Sequence, residues 1–338
     1  MILVTGATGL LGAHLLADLI KSGHSVRALI RSNSNKVVVK KVFDLYAPEY
    51  SPIESIEWLE GDILDIFSLH KAMEGVEFIY HCAAMVSFNS KDRDLMMQIN
   101  STGTANVMNV ALEKGVKKVC HVSSVAALGK PAQKADITEE SWWKNSPEKS
   151  WYAKSKYAAE REAWRAAEEG LNVVIVNPSV ILGAGDWSKG SAGIISTASK
   201  GMKFYATGAT GFVDVRDVSI SMIKLMKTSC NRERYIISSE NINFRDLFNL
   251  IHDCLGRKRP SIKAGPFLTG LTWRAELIRC LLTGSKPFIT KETAYASGQS
   301  YSFSNAKIKK EANIEFIPIE QTVKEICEVF LKEKIKSF

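Results

Sequence analysis

"MILVTGATGLLGAHLLADLI" (residues 1–20) is the stretch whose reading decides the architecture. A short run at 2–5 (ILVT) predicts a buried strand, and the Leu- and Ala-rich run over 10–22 has helical spacing. Between them stand Gly6, Gly9 and Gly12. A strand-to-helix turn this tight needs residues without side chains. A phosphate approaching backbone N–H groups at a helix N-terminus needs the same freedom. G-x-x-G-x-x-G in this context therefore points to a dinucleotide pyrophosphate cradled by Gly6, Thr8, Gly9, Leu10, Leu11 and Gly12, although its spacing departs from G-x-G-x-x-G.

Working outward, strands are expected at 25–30 (SVRALI), 56–60 (IEWLE), 76–81 (VEFIYH), 117–123 (KKVCHVS) and 172–177 (NVVIVN). Helical patterns fall near 66–74, 92–115 and 151–169, with Gly115 and Gly170 where C-terminal stops belong. Such alternation specifies an α/β fold, a doubly wound and mostly parallel sheet with helices on both faces. After Pro178 the rhythm breaks. Residues 183–193 read as loop, 194–210 as a short helix with a Gly-rich end, 211–228 as a strand entering a helix, and 234–239 as a seventh strand. The expected organisation is a dinucleotide-binding domain over 1–178, with returning segments at 211–228 and 234–239. A substrate-binding region is interleaved with it at 179–210 and 240–338.

The end of the second strand discriminates between cofactors. A carboxylate about 20 residues past the glycine turn would bond the ribose 2′-hydroxyl of NAD. Here the segment reads "ALIRSNSNK", placing Arg31 in the slot with Lys36 close behind. A guanidinium matches a 2′-phosphate, so NADP(H) is favoured over NAD(H), the alternative being a solvated arginine at a strand end. In "EGDILD", Asp62 with Ile63 suits the adenine amino group, and Asp65 suits a helix cap. Ala83 and Ala84 in "YHCAAM" would let a cofactor lie close at the carboxyl edge of the sheet, or simply pack.

"KSWYAKSKYAAE" (149–160) puts Tyr152 and Lys156 one turn apart on a helix. Alone, that spacing arises by chance in many helices. Together with Gly6/Gly9/Gly12, Asp62, "HCAA", "NSTGTANV" from Asn100, "HVSSVAALG" and "NPSVILG", it resembles the extended short-chain dehydrogenase/reductase family, also called the NAD-dependent epimerase/dehydratase family. Within it, "VRALIRS" and "KSWYAKSK" look most like the dihydroflavonol-reductase and cinnamoyl-CoA-reductase branch. The resemblance implies a Rossmann-type seven-stranded sheet and an NADPH-dependent reduction of a carbonyl. It names Ser124 as hydrogen-bonding the carbonyl and Tyr152 as general acid. Lys156 is expected to lower the phenol's pKa from its free value near 10 and to bond the nicotinamide ribose. Asn100 either supports the lysine through a water or plays a capping or buried polar role. Pro178, Ser179 and Val180 would touch the nicotinamide. From the residues themselves, Met85, Val86 and Trp187, with Phe88, Phe204 and Tyr205, either wall an apolar substrate pocket or belong to the core.

Three readings of the chemistry compete: a carbonyl reductase, a nucleotide-sugar epimerase or dehydratase that regenerates its cofactor, and a cofactor-sensing protein with a dead site. The complete triad disfavours the last. Val125-Ala126 after Ser124, where dehydratases of the resembled family carry an Asp-Glu pair, disfavours dehydration. Arg31 favours net redox with NADP over epimerisation with retained NAD.

The 338 residues are 46% hydrophobic and 24% charged, as in ordinary globular proteins, with a net charge of +8 dispersed along the chain. No nucleic-acid-binding signature appears, and "GRKRP" (256–260) is the densest basic run. Arg232, Arg234, Arg257, Lys258 and Arg259 either grip a substrate phosphate or form a solvated face. Six cysteines without C-x-x-C spacing read as free thiols, and six histidines form no ligand cluster, so no metal is expected. The N-terminal apolar run lacks a basic n-region and carries Asp18, and no stretch is long enough to span a membrane. The expectation is a cytoplasmic enzyme acting on a small carbonyl or alcohol, without nucleic-acid or membrane partners. Helices 92–115 and 151–169 resemble those that many members of the resembled family pack into a homodimer interface; alanines at 158, 159, 163, 166 and 167 suit such close approach, and packing on the sheet is the alternative for some of them.

Overall fold

A computed structural model describes residues 1–130, 135–146, 149–283 and 290–336. Seven strands form one parallel sheet: β1 Ile2–Thr5, β2 Val26–Ile30, β3 Ile56–Glu60, β4 Phe78–His81, β5 Lys118–Val122, β6 Val173–Pro178 and β7 Glu233–Ile237. They lie in the order β7-β6-β5-β4-β1-β2-β3, with Thr5 in register with both Leu29 and His81. This is the Rossmann-type α/β fold. The order reverses between β1 and β4, so a crevice opens there at the carboxyl ends of the strands. β1, β5 and β6 are buried along their whole length, which is why they read as continuous apolar runs rather than alternating ones.

Helices α1 (Leu10–Lys21) and α4 (Val215–Lys227) cover one face of the sheet, and α2 (Gly103–Glu113) and α3 (Trp151–Glu168) the other. Leu15, Leu16 and Leu19 of α1 are fully buried, packed in one cluster with Val218 and Met222 of α4. Each such leucine contributes roughly 1.5–3 kcal/mol of burial. Ala159, Ala163, Ala166 and Ala167 of α3 are fully buried within this chain, where small side chains let the helix sit close to its neighbours; Ala158 alone of the five is half-buried. The helix expected over 92–115 is interrupted: Arg93–Met97 passes through a π-turn at Gln98–Thr102 before α2 begins. Asn100 lies in that wider turn.

Beyond β6 the chain moves repeatedly between two sheets. Val180–Leu182 follows β6 directly, pairs in parallel with Ala209–Asp214, and that strand pairs antiparallel with Glu240–Asn243, which follows β7. The strand within 211–228 therefore belongs to this small sheet, whereas the helix it enters, α4, packs on the large one. The helix expected over 194–210 spans only Ala192–Ser199, and Phe204–Tyr205 pairs with Ile262–Lys263. These strands are two to six residues long, too short to show a period. Helices Phe244–Cys254 and Ile319–Lys336 bury Leu247, Ile251, Val323 and Phe330 against Phe212 of the small sheet. Among the described residues no helix is long and apolar enough to cross a membrane.

Candidate active site

The glycine turn is shaped by close approach. Gly6 has φ +68°, and a Cβ there would lie 2.6 Å from the Ala83 nitrogen and the Cys82 carbonyl carbon at the end of β4. A Cβ on Gly12 would lie 2.2 Å from the Gly6 oxygen. Gly9 is freer, with that same oxygen at 3.3 Å. It begins α1 in extended conformation, without any side-chain cap and with no acidic residue in the first turn. The N–H groups of that turn therefore lack intrahelical partners, and Thr8, Gly9, Leu10 and Leu11 line the cleft above them. An uncapped helix start beside glycines fits an anion such as a pyrophosphate. Gly6 and Gly12 work from behind the wall rather than on it.

Arg31 is exposed on the same cleft wall, and no described carboxylate pairs with it. Its main-chain N–H donates to Ser34 Oγ at 3.0 Å, closing the loop that presents the guanidinium. Lys36 does not join it. Its ammonium sits 4.2 Å over the Trp58 ring, away from the cleft wall. Asp62 Oδ1 accepts from the Leu64 N–H at 2.9 Å, and the Ile63 side chain packs on Gly103 of α2. Asp62, Ile63 and Ala83 thus stand off the open wall, whereas Ala84 lies on it. Asp65 caps the following helix through the Phe67 N–H at 3.0 Å.

Ser124, Tyr152 and Lys156 meet at one place. Ser124 follows β5 and starts a single 3-10 turn, its Oγ accepting from the Ala126 N–H at 3.2 Å, and its hydroxyl stands beside the Tyr152 phenol on the same cleft wall. Tyr152 stands in the first turn of α3, which Ser150 caps through the Ala153 N–H at 3.1 Å. Phe88 meets its ring edge-on at 5.7 Å. Lys156, one turn further and 2% exposed, donates from Nζ to the Val122 oxygen at 2.7 Å. Burial raises the Tyr152 pKa above its ordinary value, with the neighbouring Ser124 hydroxyl opposing. Burial holds Lys156 down at about 8, with Glu160 opposing. The expected lowering of the phenol by Lys156 does not occur here: desolvation dominates, the opposing group is the Ser124 hydroxyl, and the ammonium is turned onto a main-chain oxygen.

Asn100 contacts neither residue. Its Oδ1 accepts from the Met85 N–H at 2.7 Å, and its Nδ2 donates to the Met85 oxygen and to Ser155 Oγ, both at 2.9 Å. It clamps the loop after β4 onto α3, which is the buried polar role. Met85, Val86, Pro178, Ser179, Val180 and Trp187 line the cleft, whose volume is ≈ 2570 Å³. A drug-sized ligand fills a pocket of roughly 300–1,000 Å³, so the cleft has volume for a cofactor and a second small molecule. Trp187 donates from Nε1 to Glu333 at 2.8 Å and carries Lys41 3.9 Å above its ring.

Sequence reasoning missed Glu160, the hub beneath this site. It is 1% exposed and accepts from Ser123 Oγ at 2.5 Å, Asn177 Nδ2 at 2.8 Å and Arg234 Nη1 at 2.9 Å. Its place four residues after Lys156 was the available signal. Arg234 is thereby spent inside the fold, Arg232 pairs with Glu168 at 3.7 Å and Arg259 with Asp253 at 2.7 Å. None of these, nor Arg257 or Lys258, is among the residues that line the cleft. Among the described residues no His/Cys/Asp/Glu group is placed to hold a metal.

The model of the NAD dependent epimerase/dehydratase family matches residues 2–237. Sterol demethylase protein B of Methylococcus capsulatus is 34% identical over 79% of this chain and 78% of that protein. Cinnamoyl-CoA reductase 1 of Petunia hybrida is 27% identical over 96% and 90%. The crystal structure of gox2253 is 30% identical, covers 98% of both chains and superposes with a TM-score of 0.81.

Proposed function

We propose that this chain, which belongs to the NAD-dependent epimerase/dehydratase family, is an NADP(H)-dependent reductase that converts a carbonyl to an alcohol. The observation that carries this reading is that Ser124, Tyr152 and the buried Lys156 line the same cleft as the uncapped α1 turn and Arg31. A bound nicotinamide supplies the hydride. Ser124 and Tyr152 offer two hydroxyls to one carbonyl oxygen. The raised pKa keeps Tyr152 protonated at rest, so it is the acid that donates as negative charge develops on that oxygen. Lys156 stabilises the phenolate left behind. Asn100 holds the Met85 loop, and Glu160 holds the ends of β5 and β6 through Ser123 and Asn177, so the donors stay aimed. The apolar side chains of Met85, Val86 and Phe88, and relatives named for a sterol demethylase and a cinnamoyl-CoA reductase, support a largely apolar substrate body.

The test is titration of NADPH and NADH against the wild type and Arg31→Asp, followed by a panel of ketones, aldehydes and acyl thioesters. Expected are tighter binding of NADPH, its weakening by about 1.5–3 kcal/mol in Arg31→Asp with NADH spared, and stoichiometric NADPH oxidation with a carbonyl. Interconversion of a nucleotide sugar without net cofactor turnover would instead establish an epimerase.

A further inference from the structure

We infer that Lys130 and Lys149 form an anion-binding subsite on the wall that carries Ser124 and Tyr152, and that the substrate of the reaction proposed above bears a carboxylate or phosphate which docks there.

The cleft wall is strongly unbalanced. It carries eight cationic side chains and four carboxylates, and three of the carboxylates are engaged, while Glu292 keeps one buried oxygen without a partner among the described residues. Asp92 accepts from Ser87 at 2.7 Å, Asp186 from Ser188 at 2.6 Å, and Glu333 from Lys41 at 2.9 Å. Glu292 accepts from the Trp151 N–H at 3.5 Å at the start of α3. Of the cations, Arg31 and Lys156 have roles above, and Lys41 and Lys189 pair with Glu333 and Asp186. Lys130, Lys144, Lys149 and Lys203 have no carboxylate partner among the described residues.

Two of these converge beside the triad. Lys149 stands three residues before Tyr152, and its Nζ donates to the Leu128 oxygen at 2.9 Å, reaching the segment that follows Ser124. Lys130 is two residues past Leu128. Each ammonium faces an aromatic ring rather than a carboxylate: Lys149 lies 4.3 Å from the Trp143 centroid and Lys130 4.7 Å from that of Tyr301. Trp143 is itself fixed, stacked on Tyr157 of α3 at 4.4 Å and 7°. Burial first, and Lys130 second, bring Lys149 down to about 8. Like charges held together in a partly desolvated wall are relieved by a bound anion. Ammonium groups act as point charges without a fixed fork, so they accept a carboxylate and a phosphate equally.

The experiment is calorimetric titration of the full chain, saturated with NADP+ so that the cofactor's phosphate sites are filled. The probes are 2-naphthoate, 2-naphthyl phosphate and the neutral 2-naphthamide. At least one anion should bind about ten-fold or more tighter than the amide, and the tighter of the two identifies the anion class. In Lys130→Met/Lys149→Met the gap should fall below about three-fold, and Lys149→Arg should retain most of it. Unchanged melting temperature and NADP+ affinity certify the double variant. Should it not fold, Lys130→Met alone, at an exposed position, must narrow the gap at least about three-fold. Equal affinities, no detectable anion binding at millimolar concentration, or a gap that survives the substitutions would overturn the subsite. Anion preference without NADPH consumption on any carbonyl would sink the reductase reading and leave the subsite; the reverse result would leave the reductase and sink the subsite.

Discussion

Lys156 donates from Nζ to the Val122 main-chain oxygen at 2.7 Å, so the ammonium of α3 is anchored to the last residue of β5, two residues before Ser124. One bond thus ties the helix that carries Tyr152 to the strand that delivers Ser124. It also holds a cation where burial opposes charge.

The cost of that burial is measurable. Lys156 titrates near 8 in the folded chain and near 10.5 when unfolded. Between those values the unfolded state binds the proton and the folded state does not, so stability rises with pH across this window. Below about pH 8 both states are protonated and the penalty is at its full value. Relative to Lys156→Met, the wild type should gain up to about 3 kcal/mol between pH 7.5 and 10.5 in urea unfolding. A flat difference across that range would show that the ammonium is not desolvated.

Tyr152→Phe removes one oxygen and keeps the ring packed against Phe88. Cofactor affinity should hold while turnover falls by about 10²–10⁴. The phenol itself should ionise above the ordinary tyrosine value in the cofactor-free protein, seen as the wild-type minus Tyr152→Phe absorbance of tyrosinate. Ser124→Ala should move that ionisation higher still, because the hydroxyl is the group that opposes burial. A downward shift would contradict the balance described.

Gly12→Ala puts a methyl 2.2 Å from the Gly6 oxygen, which is backbone and cannot swing aside. Expected are a loss of about 1–3 kcal/mol in stability and a disproportionate loss of NADPH binding as the turn opens. Wild-type affinity in this variant would mean that the turn does not hold the cofactor.

Glu160→Ala leaves the Arg234 guanidinium without its carboxylate and strands Ser123 and Asn177. Breaking such a buried pair should cost about 3–5 kcal/mol in denaturant unfolding. Turnover should fall with KM for the cofactor less affected, because the damage lies under Ser124. A cost under about 1 kcal/mol would show that the pair is no more than a surface bridge.

Local chemistry along the chain was enough for much of this protein. The glycine turn follows from local spacing, and at Gly6 and Gly12 only a missing Cβ permits the close approach. The alternation of apolar runs and helical patterns sets the parallel sheet, and helical spacing puts Tyr152 and Lys156 on one face. Arg31 is legible because its slot is counted from the turn. What tertiary structure decided depends on groups far apart in the chain and on how much water is excluded between them. Asn100 bonds Ser155 across 55 residues and Glu160 pairs with Arg234 across 74, and no spacing encodes either. The direction of the shift at Tyr152 was set the same way, because a lysine one turn away is visible in sequence while the desolvation that raises the phenol exists only in the folded cleft.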